Sequence, residues 1–140
     1  MTEKSPLILL VDDDVDFVEI TRLALTSHGY RTVCSYDPVD AMDKALAEKP
    51  DLIISDLVMG SLDAGFAFAR QVKQHAELRG VPLILATSAS SQYGFNFQPE
   101  NKAELGEMNV EAYFDKPIPT ERLLETIRQL LGPEKKETPS

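Results

Sequence analysis

Short, continuous apolar runs alternate with helix-spaced segments along the chain. Leu7-Ile-Leu-Leu-Val11 has no polar interruption, the pattern of a strand buried on both faces of a parallel sheet. Asp12 to Asp14 end it abruptly. Val15 to His28 then carries helical spacing, with Val15, Val18, Leu23 and Leu25 among its apolar positions, and Gly29 is a natural stop. Tyr30 to Tyr36 is rich in β-formers and reads as a second, more exposed strand. Asp37-Pro38 opens the next helix, with Asp as N-cap and Pro in the first turn. That helix turns Ala41, Met42, Ala45 and Leu46 inward and ends before Pro50. Leu52 to Ile54 is a third apolar strand that runs straight into Asp56.

The second half repeats the alternation. Gly60 to Gly65 reads as a loop and Phe66 to His75 as a helix packed through Phe66, Phe68, Ala69 and Val72. Val81 to Ala86 is a fourth strand with Pro82 at its entry, where a missing N–H matters least. Thr87 to Asn109 is the least regular stretch, with Tyr93, Phe95 and Phe97 between Gly94 and Pro99 or near them, and a short helix-like piece over Lys102 to Met108. Ala112 to Phe114 is a short fifth strand. Thr120 to Leu131 is an amphipathic helix with Leu123, Leu124, Ile127, Leu130 and Leu131 on one side, and Gly132-Pro133 stops it. Residues 1–132 are expected to form one domain, and Glu134 to Ser140 a disordered polar tail. Strict β-α alternation with buried strands predicts an α/β fold: a parallel sheet with helices on both faces.

Composition narrows the function. A chain of 140 residues, 43% hydrophobic and 26% charged, is an ordinary globular domain. A formal net charge of −9 argues against nonspecific binding to nucleic acid or to acidic membranes. The N-terminus turns acidic after five apolar residues and does not read as a signal peptide, so a cytoplasmic protein is the expectation. Cys34 has no partner for an internal disulfide and is read as a small buried hydrophobe.

Ligands of open α/β sheets bind at the carboxyl ends of the strands, near the point where strand order reverses. Here those ends carry Asp12 and Asp13, Asp56, Thr87 and Ser88, and Asp115 and Lys116. Clustered carboxylates repel unless a cation is present, and hard oxygen donors suit Mg²⁺. With Lys116 as a second positive group and Thr87 as a hydroxyl, the set suffices for phosphoryl transfer to a carboxylate. Taken singly, each residue has a plainer explanation. Asp12 to Asp14 would favour a helix N-terminus, Asp56 could cap a turn, and Lys116 could be a solvated lysine. The convergence on one edge carries the case. His28 and His75 fall near helix ends and read as surface or capping residues.

Four short pieces in this order resemble a response-regulator receiver domain, the CheY-like switch module of two-component signalling. They are Leu-Val-Asp12-Asp13, Ile-Ile-Ser-Asp56-Leu-Val-Met59, Leu-Ala-Thr87-Ser88-Ala89 and Tyr113-Phe-Asp-Lys116-Pro117. The resemblance spans Leu7 to Leu131 and implies a five-stranded flavodoxin-like sheet of order 2-1-3-4-5. It implies that Asp56 accepts a phosphoryl group from a sensor histidine kinase or a histidine phosphotransfer protein. Mg²⁺ would be held by Asp12, Asp13, Asp56 and the backbone carbonyl of Val58. Thr87 and Lys116 would contact phosphoryl oxygens, Tyr113 would be the switch aromatic, and the Lys116-Pro117 peptide would be cis. The output surface would be built by the fourth helix, the fifth strand and the fifth helix, and would control an output partner or output domain. Such a module is not a conventional enzyme, although self-phosphorylation and autodephosphorylation at Asp56 are expected. A homodimer through the fourth helix is compatible with this reading.

Two features depart from the family pattern. Gly60 stands where Pro usually follows the Met, and the loop reads Ser61-Leu-Asp-Ala-Gly65. Thr87 and Lys116 are 116 − 87 = 29 positions apart, several more than usual, the excess falling in Ser90 to Pro99. Tyr93, Phe95 and Phe97 there either cover the core under a long loop or form a partner-binding patch. Other classes fit less well. A haloacid-dehalogenase-like phosphatase needs a second Asp where Val58 stands, and a nucleotide-binding module needs a Gly-rich loop where Asp12 to Asp14 stand. A degenerate receiver, acting as an interaction module without phosphorylation, is the remaining alternative.

Overall fold

The computed structural model of the chain describes residues 5–56, 64–87 and 110–132, with backbone only at 64–66 and at 87. Five strands form one parallel sheet: β1 (Leu7–Val11), β2 (Arg31–Ser35), β3 (Leu52–Ser55), β4 (Leu83–Thr87) and β5 (Ala112–Asp115), in the order β2-β1-β3-β4-β5. The described helices are α1 (Val15–Ser27), α2 (Pro38–Glu48), α3 (Ala64–Gln74) and a C-terminal helix, Thr120–Leu131. The sheet order and the α/β class agree with the expectation. The awaited fourth helix, the aromatics Tyr93, Phe95 and Phe97, and the polar tail lie outside the described residues.

Alternation along each strand divides the core in two, because successive side chains leave a strand on opposite faces. Leu9, Val11, Ile53, Leu83 and Leu85 point to the face covered by Ala41 and Ala45 of α2 and by Phe68, Ala69 and Val72 of α3. Ile8, Leu10, Leu52, Ile54, Ile84 and Ala86 point to the other, covered by Val18 and Leu25 of α1 and Leu123, Leu124 and Ile127 of the C-terminal helix. Both faces are therefore apolar, which is why β1, β3 and β4 read as unbroken hydrophobic runs.

Several element ends move by a residue or two from the sequence expectation. β2 loses Tyr30 and Tyr36, and His28 becomes the C-cap of α1, not its last turn. Strands β3 and β5 each gain one residue, Ser55 and Asp115. β4 begins at Leu83, after Pro82, whose ring nitrogen has no hydrogen to donate to the ladder. α3 starts at Ala64, two residues before Phe66. Val15 and Leu23 follow helical spacing but are 56% exposed, because the buried side of α1 is built from Val18, Thr21 and Leu25. Cys34 is half-buried, and burial pushes its thiol pKa upward.

Three side-chain ties hold the ends of the sheet away from the functional edge. Asp51 accepts a 2.8 Å hydrogen bond from the amide of Leu7. Glu111 accepts one of 2.7 Å from the amide of Leu83 and pairs with Lys73 of α3 at 2.9 Å. Gly29, at φ 93°, turns the chain from α1 into β2 in a left-handed conformation that a side chain would strain.

Candidate functional site

The site forms where parallel strands end side by side. Val11 lies opposite Ser35 on one side and Ser55 on the other, so the residues that follow β1 and β3 are neighbours. Two backbone bonds carry the pairing one residue past the strands: the amide of Asp56 donates to Val11 O at 2.9 Å, and that of Asp12 donates to Ser35 O at 3.1 Å. Thr87 pairs in register with Asp115, which brings the end of β4 beside Lys116. The side chain of Thr87, and Val58 with its carbonyl, lie outside the described residues.

Division of labour among the first acidic residues resolves the plainer explanation of that cluster. Asp14 is the N-cap of α1, its side chain accepting from the amide of Phe17 at 3.2 Å. Asp12 and Asp13 are left for the strand edge. Asp12 accepts from the amide of Asp14 at 2.9 Å through Oδ1, which fixes the carboxylate plane. Its Oδ2 meets the ammonium of Lys116 at 2.7 Å. Oxygen atoms of Asp12, Asp13 and Asp56 all lie within 4.8 Å of one another, with Asp12 and Asp56 buried and Asp13 exposed. Burial, and next the neighbouring Asp56, push the Asp12 carboxyl up to about 6 from 3.8, against the opposing pull of Lys116.

Lys116 is held on two sides. Besides Asp12, its ammonium lies 4.2 Å from the centre of the Phe17 ring. The peptide bond between Lys116 and Pro117 is cis. Tyr113, in β5, is partly buried against the α2 and α3 side of the core. Phe17 is the site neighbour that pattern reading did not single out. Nothing local to it in sequence announces a lysine about a hundred residues later.

The protein-family model for the response regulator receiver domain matches residues 8–128. The chain belongs to the response regulator receiver family. Among curated proteins, the receiver chain is 32% identical over 124 residues to the response regulator ArlR of Staphylococcus aureus, covering 89% of this chain and 52% of that protein. It thus spans about half the length of that relative. Among solved structures it is similar to the signal receiver domain of a signal transduction histidine kinase from Syntrophus aciditrophicus, with TM-score 0.75 and 28% identity, covering 97% of this chain and 98% of that one. It shares its fold with the receiver domain of a sensor histidine kinase from Pseudomonas aeruginosa PAO1, a structure with a magnesium ion coordinated in the active site cleft. There the TM-score is 0.75 and the identity 24%, covering 92% of this chain and 99% of that one. The general role of receivers is phosphorylation-dependent switching in two-component systems. No described helix is long and apolar enough to cross a membrane.

Proposed function

We propose that this receiver is switched by phosphorylation of Asp56, with Mg²⁺ held by Asp12, Asp13, Asp56 and the carbonyl of Val58. The observation that carries the reading is the convergence of three carboxylates within 4.8 Å, one of them paired with a lysine. The donor set fits the ion. All the side-chain donors are hard oxygens and two are buried; burial, and next the neighbouring Asp56, raise the Asp12 pKa to about 6. When bound, Mg²⁺ would neutralise charge on the carboxylates and on an incoming phosphoryl group.

The chain's own residues would do the rest. A carboxylate oxygen of Asp56 attacks phosphorus in line with the leaving group. The new O–P bond gives an acyl phosphate, and the donor leaves with the old bond's electron pair. Lys116, already in the site, would turn one N–H to a phosphoryl oxygen, and the Thr87 hydroxyl would bind another. Tyr113 would follow Thr87, changing the surface around β5. A sensor histidine kinase or histidine phosphotransfer protein would supply the phosphoryl group in the cytoplasm. The altered surface would act on an output partner, an output domain or a second copy.

Chemical trapping tests this directly. The chain is incubated with phosphoramidate and Mg²⁺, then reduced with borohydride, which turns an aspartyl phosphate into homoserine. Peptide mapping is expected to find homoserine at position 56. Homoserine at another carboxylate, or none, would refute the assignment.

A further inference from the structure

Lys116 has a flexible four-carbon stem, which costs entropy to hold in one place. Its ammonium is nevertheless confined, with the side chain only 11% exposed. Asp12 at 2.7 Å supplies a hydrogen-bond acceptor, and the Phe17 ring at 4.2 Å from its centre supplies an aromatic face. The two differ in kind. Asp12 accepts an N–H, while the ring face attracts the positive charge without claiming a particular hydrogen. A lysine held only by Asp12 can offer its other N–H groups to an arriving phosphoryl group only within reach of that one anchor. A lysine resting on a ring can re-aim its N–H groups and stay where it is.

Phe17 itself is firmly placed. Its amide is bonded to the Asp14 cap, in the first turn of α1. Its ring packs against the core cluster that contains Val18, Ile54, Ala86 and Leu124, with Phe114 and Ile118 alongside. The ring thus links the start of α1 to the residue that follows β5.

We infer that Phe17 is a positioning residue for phosphoryl transfer, holding the Lys116 ammonium in the site through its ring face. The inference rests on the reading of Lys116 as a phosphoryl contact. Ordinary packing against the core is the competing explanation, and the two separate cleanly. Fluorination of the ring barely changes its size but drains its negative face, so it weakens a cation contact and leaves packing nearly intact.

The experiment uses the full chain with Phe17 replaced by mono-, di- and trifluorophenylalanine, with Phe17→Leu as the end point. Phosphorylation by acetyl phosphate at saturating Mg²⁺ is followed by intact mass, and melting temperature is recorded for each. The rate is expected to fall step by step with fluorine content, by roughly fivefold at the end of the series, while the melting temperatures of the fluorinated chains stay level. Rates that do not change with fluorination would overturn the inference, as would a loss of rate that tracks loss of stability. Failure of the unsubstituted chain to take up a phosphoryl group would overturn the functional reading and this role with it. In that case the ring-current shift of the Lys116 side-chain protons, lost in Phe17→Leu, would still show that the contact itself was correctly assigned.

Discussion

Replacing Asp12 with Asn should make the metal-free protein more stable at neutral pH. Asp12 is 1% exposed and shares its site with Asp56. Its carboxyl titrates at about 6 in the folded chain against 3.8 as the reference. Below pH 3.8 both states hold the proton and the group has no effect. Between 3.8 and about 6 the folded chain holds a proton that the unfolded chain has lost, so stability falls as pH rises. Above that window the full cost of the buried charge is present. At about 1.4 kcal/mol per pH unit the cost comes to about 3 kcal/mol. Relaxation of the site around the charge offsets part of this, leaving an expected gain of about 2 kcal/mol for Asp12→Asn. For a domain of this size that raises the melting temperature by roughly 6 °C. Melts followed by circular dichroism in EDTA, at pH 4.5 and 7.5, read the effect. The gain should be large at the higher pH and shrink at the lower. A variant that melts at or below the parent at pH 7.5 would refute the reasoning, because the Lys116 ion pair would then outweigh burial and repulsion.

Other consequences follow from the same contacts. Asp14→Ala removes the α1 cap and should cost about 1 kcal/mol in urea unfolding, with no loss of the Asp56 chemistry. Glu111→Ala leaves the Leu83 amide without its carboxylate and frees Lys73, and should cost about 1–2 kcal/mol in the same assay. Ile54→Ala opens a cavity between α1, the C-terminal helix and the sheet, and should cost about 2–5 kcal/mol by chemical denaturation. Mg²⁺ should raise the melting temperature of the parent but not of Asp12→Asn, whose site has lost one of its anionic donors.

Most of the architecture was legible because both sheet faces are buried. That makes Leu7 to Val11, Leu52 to Ile54 and Leu83 to Ala86 continuous apolar runs, and β-α alternation then forces a parallel sheet. The edge that carries the site was legible for the same reason: parallel strands end on one side, and Asp12, Asp56, Asp115 and Lys116 are the residues at those ends. Element ends were less so. Ser55 and Asp115 are polar, yet the ladder continues through them because backbone pairing does not depend on the side chain. Exposure on α1 also escaped the pattern, since Val15, Ile20 and Leu23 are apolar and face outward. Contacts between distant residues had no local signal at all. The Lys116–Phe17 stacking and the Lys73–Glu111–Leu83 tie depend on how the sheet brings the two halves of the chain together.

Phosphoryl uptake measured as intact-protein mass is the most direct test of the central claim. The chain is incubated with acetyl phosphate and Mg²⁺, beside Asp56→Asn and beside a sample in EDTA. A single added phosphoryl group in the parent, absent from both controls, is the expected result. No addition in any sample, or equal addition to Asp56→Asn, would contradict phosphorylation at Asp56 and leave a receiver fold that acts through contacts alone.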